Sequence, residues 1–510
     1  MIVSVLCLAE EKEELKKSAL NFNKEWEVEF VCDNYETKSL IIISHETVSK
    51  CKKMDFSKFD GIYLYYGSTI IDTSKMVEIT NIRKQAISEK NWSRAKFLND
   101  VLIDIDFIYK HEINLAYPDY LQIETTSFCN AECIMCSHYY NHNKDSLYLQ
   151  NETLEHMKKA LQLSHTVSLN GMGEPFVSPY ISEQIDYYAN FENKIVTNTN
   201  LSILNDRIIA QIQSNFLWLE ISVDGATRET YEQIRKNLKF DTVKKNLLRL
   251  NKECPDIRKH LAMVVMRQNV HEMPQMVELA YEVGAKNINF MSLGTNIIIG
   301  NEMDSVFHYP KVLAYYSKKA LKMGEKLGIE VIVPMNTFGD ETILLSDIES
   351  ELEQMRSILM YKTTEEVKKM EETAARVNRY LCEHDEIQRE TIPSTVRCYG
   401  ICDWVLKQSY IDLKGNVSMC CRNQIFHVGN VNEVEDFLEV WNGNLYKQVR
   451  KIFYSGYLPE CCLKCHLIGS GNFQFLEIEE TEEFYKDPVY KMEQKQRFLE
   501  LKKSWEDILK

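Results

Sequence analysis

The chain has 510 residues, is 45% hydrophobic and 26% charged, and carries a formal net charge of −15 at pH 7, which suits a large core divided among two or more packed units. That acidic balance, with no long run of Lys or Arg, argues against a partner that is nucleic acid. The apolar run at the N-terminus meets acids at once and has no basic region before it, so it reads as a first buried strand rather than a signal peptide; no other segment reaches membrane-spanning length, and the expected location is cytoplasmic, with no membrane partner.

In chain order, residues 1–85 read as a small α/β unit. Strand candidates are Ile2–Leu8, Trp26–Cys32, Ser39–Ser44 and Gly61–Tyr66, with a helix over Glu11–Leu20. Residues 86–115 read as a helical connector. From Tyr120 the pattern becomes a regular strand–helix alternation. Its strands are Leu121–Thr125, Thr166–Asn170, Lys194–Asn198, Trp218–Val223, Leu261–Met266 and Asn287–Met291. The helical stretches between them include Ile203–Gln213, Thr230–Leu250 and Met273–Val283. Six strands with intervening helices predict a parallel sheet with right-handed crossovers, whose sites lie at the C-terminal ends of the strands. Residues 340–392, rich in Glu, Lys and Leu, predict one or two long helices. A hairpin is expected over Ser409–Leu413 and Val417–Met419, and the tail from 475 onward reads as charged and helical.

Fifteen cysteines are present, three of them between 129 and 136, four between 398 and 421, and three between 461 and 465. In a reducing compartment such clustering points to metal rather than to disulfides. Cys7, Cys32, Cys51, Cys254 and Cys382 stand alone and read as structural thiols. The first group, Cys129-Asn-Ala-Glu-Cys133-Ile-Met-Cys136, follows the first strand of the alternating region. Three thiolates on one short loop can hold a [4Fe–4S] cube and leave one iron without a protein ligand. Zinc or a purely structural cluster is the alternative for the residues taken alone.

This triplet, at this place in the chain, resembles the signature of the radical S-adenosylmethionine (SAM) superfamily, over roughly residues 118–300. The resemblance implies a partial (β/α)6 barrel. Met135 stands where the family usually has an aromatic residue. Gly171-Met172-Gly173-Glu174-Pro175, after the second strand, looks like the family's motif for the amino group of SAM, with Met172 in place of the usual middle glycine. Ser222-Val223-Asp224-Gly225, followed by Tyr231 and Ile234-Arg235, is similar to a stretch in which the serine and arginine contact the carboxylate or ribose of SAM. A guanidinium suits a carboxylate. Without the resemblance these motifs are a turn and a solvated helix face. Asn198 could reach the site or cap the next helix, and Met266 and Met291 are candidates for the adenine or for the core.

The later cysteines fit a second frame: Cys402, twelve residues, Gly415, four residues, Cys420, and then Cys462-Leu-Lys-Cys465. A hairpin turn at Gly415 returns the chain so that Cys402 and Cys420 can face one site. This resembles the single-cluster SPASM/twitch extension of radical SAM enzymes, as does the run Gly429-Asn430-Val431, Trp441-Asn442 and Arg450. Cys421 and Cys461 compete with Cys420 and Cys462 for ligand roles, and spacing favours the latter two. Cys398 is a spare thiol or an alternative ligand. A four-cysteine zinc site has the same ligand count.

The implied division is an N-terminal α/β accessory domain with its connector (1–115), a radical SAM barrel (116–330), a helical insertion (331–396), an auxiliary cluster domain (397–470) and a helical tail (471–510). The implied cofactors are a SAM-binding [4Fe–4S] cluster, an auxiliary [4Fe–4S] cluster and SAM itself, with an electron donor such as flavodoxin or ferredoxin. The implied reaction begins with reductive cleavage of SAM and hydrogen abstraction, leading to net oxidation or crosslinking. The substrate is then a peptide or a small molecule, as in peptide or protein maturases and in sugar or aminocyclitol dehydrogenases. Residues 1–85 do not look like the winged-helix leader-binding domain that peptide maturases often carry. The competing expectation is a non-catalytic iron–sulfur or zinc scaffold.

Overall fold

The computed structural model describes residues 2–24, 27–30, 40–136, 138, 147–294, 301–334, 343–358, 361–369, 372, 393–421, 427–459, 462 and 474–478. The N-terminal unit is a five-stranded sheet of β1 (Ile2–Leu6), β2 (Glu27–Phe30), β3 (Leu40–Ser44), β4 (Gly61–Tyr66) and β5 (Thr69–Asp72), in the order β2-β1-β3-β4-β5. β1 to β4 are parallel and β5 returns antiparallel along β4. The helix Lys12–Phe22 buries Leu15 and Ala19 against it. The connector is a pair of helices, Met76–Ser88 and Trp92–Ile108. The second is buried on most of its faces, and its Asp104 is held by His45 at 2.7 Å and by the Tyr66 hydroxyl at 2.6 Å.

The main sheet begins with β6 (Tyr120–Ile123). A two-residue strand β7 (Glu132–Cys133) lies in the cysteine loop. The sheet continues with β8 (Thr166–Ser168), β9 (Lys194–Thr199) and β10 (Phe216–Ser222). A second two-residue strand, β11 (Arg235–Lys236), precedes β12 (Arg258–Val265), β13 (Asn287–Ser292) and β14 (Glu330–Ile332). All the long strands pair in parallel. Their alternation sends Leu121, Val167, Ile195, Leu219, Leu261 and Ile288, all fully buried, toward the helices, and the opposite face lines the lumen of the partial (β/α)6 barrel. Among the described residues no helix is long and apolar enough to cross a membrane.

The C-terminal region adds β15 (Pro393–Gly400), β16 (Gln408–Ile411), β17 (Asn416–Ser418), β18 (His427–Asn430), β19 (Tyr457–Pro459) and β20 (Leu476–Ile478). β16 pairs in parallel with β6, Gln408 opposite Tyr120 and Ile411 opposite Ile123. The auxiliary hairpin therefore continues the barrel sheet, in the order β14-β13-β12-β10-β9-β8-β6-β16-β17-β18.

Three expectations are corrected. The single helix expected over Thr230–Leu250 is two, Arg228–Ile234 and Phe240–Glu253. Between them Arg235 leaves the helix to pair its backbone with Cys133, and Asn237 takes a positive φ of 69°. The tail, expected to be helical from 475 onward, instead begins with the strand β20, which pairs with β15; of the helical stretch 340–392, Leu345–Ser357 is a helix as expected, while 373–392 and 479–510 lie outside the described residues.

Candidate functional site

The cysteine loop leaves β6 at Glu124. Thr126 accepts the Phe128 N–H at 2.9 Å, which turns the chain toward Cys129. Asn130 is pinned to the loop after β9, its side chain meeting Ser202 and Asn200 at 2.9 and 3.0 Å. Cys133 is fixed by the β7–β11 bridge, in which it faces Arg235, and Ile134 N–H donates to Ile234 O at 3.0 Å. The Cys136 N–H then donates to Cys133 O at 3.0 Å, closing a tight turn. Cys133 is buried and Cys129 and Cys136 are half-buried. Burial pushes the Cys129 thiol up to about 11 and that of Cys133 up to about 12; in both cases Arg235 pulls the other way, while Cys136 adds to the rise. Each thiol thus feels its neighbours. Three such thiols form an all-sulfur donor set that fits an iron–sulfur cube with one open iron. Among the described residues no three His, Cys, Asp or Glu side chains gather as a single bound ion would need. Met135, before the third cysteine, packs against the apolar group of Ile234, Met266 and Leu293. Met266 is a buried member of that group and Met291 is half-buried in the lumen.

The Gly171–Glu174 loop lies directly on this structure. A Cβ on Gly173 would stand 2.3 Å from Thr126 O and 2.5 Å from Phe128 O, so only glycine permits the approach. Met172 N–H donates to Glu124 Oε1 at 2.6 Å. Glu174 turns away from the lumen: its carboxylate accepts from the Thr199 hydroxyl at 2.5 Å and from Asn200 N–H at 2.7 Å, tying the loop to the end of β9.

Ser222 ends β10, half-buried. Two residues on, the fully buried Asp224 accepts from Arg235 Nε at 2.6 Å and from Val264 N–H at 2.7 Å. Burial works against the charge on Arg235, but Asp224 and the Cys133 thiol hold its pKa well above the usual arginine range. Among the described residues the terminal nitrogens of Arg235 meet no acceptor, which leaves them for an incoming carboxylate. Asn198, the last residue but one of β9, is exposed, and its Oδ1 accepts from Asn170 Nδ2 at 3.2 Å.

Two site carboxylates escaped the motif-based reading. Glu124 is 5% exposed; burial pushes its carboxyl up to about 7, against hydrogen bonds from Met172 and Leu413 N–H and from Tyr410. It joins the Gly171 loop to the β16–β17 hairpin. Its signal was a charged residue directly after the first barrel strand, five positions before Cys129. Glu272 collects Ala226 N–H at 2.6 Å and the Thr227 and Thr230 hydroxyls at 2.7 and 2.6 Å, anchoring the start of the Arg228–Ile234 helix.

In the second group, Cys402 caps the short helix Asp403–Leu406, and β16 follows. The turn is built by Asp412, whose Oδ1 accepts Lys414 and Asn416 N–H at 2.8 and 2.9 Å, and by Gly415 at φ +79°. Asn430 braces it, donating to Lys414 O at 3.0 Å. β17 then leads through a bend at Met419 to Cys420 and Cys421. Cys420 lies near enough to buried Tyr446, and Cys421 to Tyr410 and Tyr120, for their charges to be felt there. Trp441, Asn442 and Arg450 close the back of the hairpin. The guanidinium of Arg450 lies 4.7 Å over the Trp441 ring and donates to Val405 O at 3.2 Å and Asn442 Oδ1 at 3.0 Å. Cys462, delivered by β19, is half-buried. Cys461 and Cys465 lie outside the described residues. Cys398, pushed up to about 12 by burial, lines a small cavity with Cys51, Phe107 and Tyr454. Cys402, Cys420 and Cys462 are sulfur donors, the ligand type most iron–sulfur clusters use.

Comparison with known proteins agrees with this arrangement. Residues 123–280 match the radical SAM superfamily, and residues 402–466 match the SPASM iron–sulfur cluster-binding domain. Together the two imply a SAM-binding [4Fe–4S] cluster and an auxiliary cluster. The mycofactocin maturase MftC of Mycolicibacterium smegmatis is 27% identical over 181 residues, 35% of this chain and 45% of that protein. The GTP 3′,8-cyclase of Chlorobaculum tepidum is 27% identical over 188 residues, 34% of this chain and 53% of that protein. The chain spans about half the length of the curated relatives it matches. Among solved structures, Streptococcus suis SuiB bound to SAM overlaps 73% of this chain and 80% of its own, with 14% identity and a TM-score of 0.44.

Proposed function

From a chain that carries a radical SAM domain and a C-terminal SPASM domain, we propose an enzyme that cleaves SAM reductively and removes a hydrogen atom from an unactivated carbon, with net oxidation or crosslinking of its substrate. Cys129, Cys133 and Cys136 would hold a [4Fe–4S] cluster, which, once reduced by an external donor, would supply the electron for reductive cleavage of bound SAM. The observation that carries this reading is the meeting, at the C-terminal ends of parallel strands, of the cysteine loop, the Gly171–Gly173 backbone and the Asp224–Arg235 pair.

In this proposal the backbone carbonyls of Gly171, Met172 and Gly173 accept from the SAM amino group. Arg235, held by Asp224, and Ser222 address its carboxylate or ribose. Glu174 acts by fixing the loop rather than by touching SAM. Cys402, Cys420, Cys462 and Cys465 hold the auxiliary cluster, which serves as electron acceptor or substrate ligand. Residues 116–330 and 397–470 are the two cofactor-bearing domains, and a flavodoxin or ferredoxin is the electron donor. The maturase among the relatives supports a peptide substrate. A second reading, a sugar or cyclitol dehydrogenase, is favoured by Asn198, Glu220 and His260, polar residues that adjacent strands bring to the lumen face.

The test is anaerobic reconstitution followed by reduction with SAM present. The protein is expected to form 5′-deoxyadenosine. A variant with Cys129, Cys133 and Cys136 all changed to Ala is expected to form none, while keeping about four of roughly eight irons. Full activity in that variant overturns the proposal.

A further inference from the structure

The helix Leu345–Ser357 belongs to a stretch with no part in either cysteine motif. It lies along the helix Pro310–Leu327. Ile348 and Met355 are buried, and Glu351 Oε2 accepts Val312 N–H at 2.9 Å. The chain that follows this helix is tied to the mouth of the barrel. Arg267, two residues past β12, donates from Nη1 to Ile358 O at 3.4 Å. The same guanidinium pairs through Nε with Asp304 at 2.9 Å, and Asp304 stands 4.0 Å from Lys362 Nζ. Gln268 Nε2 donates to Asp304 as well, at 2.7 Å. Both Arg267 and Asp304 are largely shielded from solvent. The chain is thus held on either side of Tyr361.

Tyr361 packs on an apolar group at the C-terminal ends of the barrel strands. Ile234, Met266 and Leu293 are its buried members, with Ile134, Met135 and Val264 against them. Ile134 and Met135 lie between Cys133 and Cys136, and Ile234 directly precedes Arg235. Val264 shares the lumen face of β12 with His260. Ile134, Met135, Val264 and Tyr361 are all half-buried, so the group keeps an open apolar side. Among the described residues Tyr361 is its one aromatic ring. The Tyr361 hydroxyl is near enough to Glu229, Glu272 and Arg267 for their charges to be felt.

The two ends of SAM ask for different walls. Its amino and carboxylate groups suit the Gly171–Gly173 backbone and Arg235. Its adenine is flat and buries best against apolar and aromatic surface. The apolar group borders both the cysteine loop and Arg235, so a ligand held at those two places reaches the open side with its remaining part. Met135 brings no ring to that side. Tyr361 brings one from beyond the last barrel strand.

We propose that Tyr361 is a SAM-binding residue whose ring walls the adenine beside Met135, Met266 and Leu293, so that the helical insertion completes the cofactor site. The inference rests on the radical SAM reading for the identity of the ligand.

The experiment is calorimetry on the full-length protein with both clusters, under anaerobic conditions. The ligands are SAM, methionine, and 5′-deoxyadenosine in saturating methionine. Tyr361→Leu keeps apolar bulk and removes the flat ring. It is expected to weaken SAM and 5′-deoxyadenosine at least about fivefold, while methionine stays within about twofold. Tyr361→Phe keeps the ring and should hold all three within about twofold. A ring that merely fills the core would give no such split between the nucleoside and the amino acid. If Tyr361→Leu does not retain its clusters, Tyr361→Met carries the same expectation. Unchanged SAM affinity in the ringless variant overturns the proposal. So does methionine weakened as much as SAM, or Tyr361→Phe as weak as Tyr361→Leu. SAM cleavage by the unaltered protein is read separately. If that protein cleaves SAM and the Tyr361 pattern is absent, the assignment of Tyr361 fails alone. If the loaded protein does not cleave SAM, the proposed function fails, whatever Tyr361 touches.

Discussion

The two cysteine sites are built in opposite ways. The first is closed within the barrel, by residues that follow its other strands. Cys133 is bridged to Arg235, Gly173 rests on Thr126 and Phe128, and Asn130 is pinned by Asn200 and Ser202. The second is a seam between distant parts of the chain. Its hairpin borrows β6 as a partner. Its rear wall is held by a reciprocal pair, Asn114 N–H to Asn442 Oδ1 at 2.8 Å and Asn442 Nδ2 to Asn114 O at 2.9 Å, and by Arg450 donating to Glu112 O at 3.2 Å. A site closed within one domain depends on that domain alone. A site made at a seam depends on the whole fold closing first, and Glu124, which touches both, is where the two meet.

The largest expected contrast lies within the second site. Spacing puts Cys420 rather than Cys421 in the ligand frame, so Cys420→Ala should lose about four of roughly eight irons, and Cys421→Ala should lose none. Iron content and cluster absorbance of the two variants decide it, and the reverse result would end the spacing argument.

A smaller effect probes the closure of the first site. Asp224→Ala leaves the charge of Arg235 buried without its partner, which costs about 3–5 kcal/mol. Asp224→Asn, which keeps a hydrogen-bond acceptor, should cost less. Denaturant midpoints measure both, and equal stability of all three proteins would show that the pair does not organise this site.

The smallest effect concerns the joint. Glu124 is pushed up to about 7 by burial, above the ordinary value of about 4.3. Between those values the folded protein holds a proton that the unfolded chain has released. The contribution of Glu124 is therefore complete below about pH 4 and is lost as pH rises toward 7, by about 3–4 kcal/mol in all. Glu124→Gln should flatten that part of the stability–pH curve. An unchanged slope in the variant would mean that Glu124 is not the titrating group.

The same contrast explains what could be read from sequence. The barrel strands announce themselves as apolar runs between helices, and the C-x3-C-x2-C triplet lies within eight residues, so its chemistry is local. The pairing of β16 with β6 joins residues nearly three hundred positions apart and leaves no periodic trace in either segment. The break at Arg235 was hidden because Thr230–Leu250 has helical composition throughout, and a tertiary partner, Cys133, overrides that preference. Glu124 carried no motif; its role depends on Tyr410 and Met172 arriving from two other places. The hairpin turn was legible because Asp412 and Gly415 are themselves the turn chemistry.

The β6–β16 pairing also sets a schedule for biosynthesis. At ordinary translation rates, the ribosome needs on the order of 15–60 s to pass from β6 to β16. Through that interval one side of β6 exposes unpaired backbone donors and acceptors, the kind of edge that recruits other chains. A fragment ending after β14 would keep that edge for good, so expressing the barrel alone invites insoluble material. Chaperone dependence in the full chain should centre on this one strand.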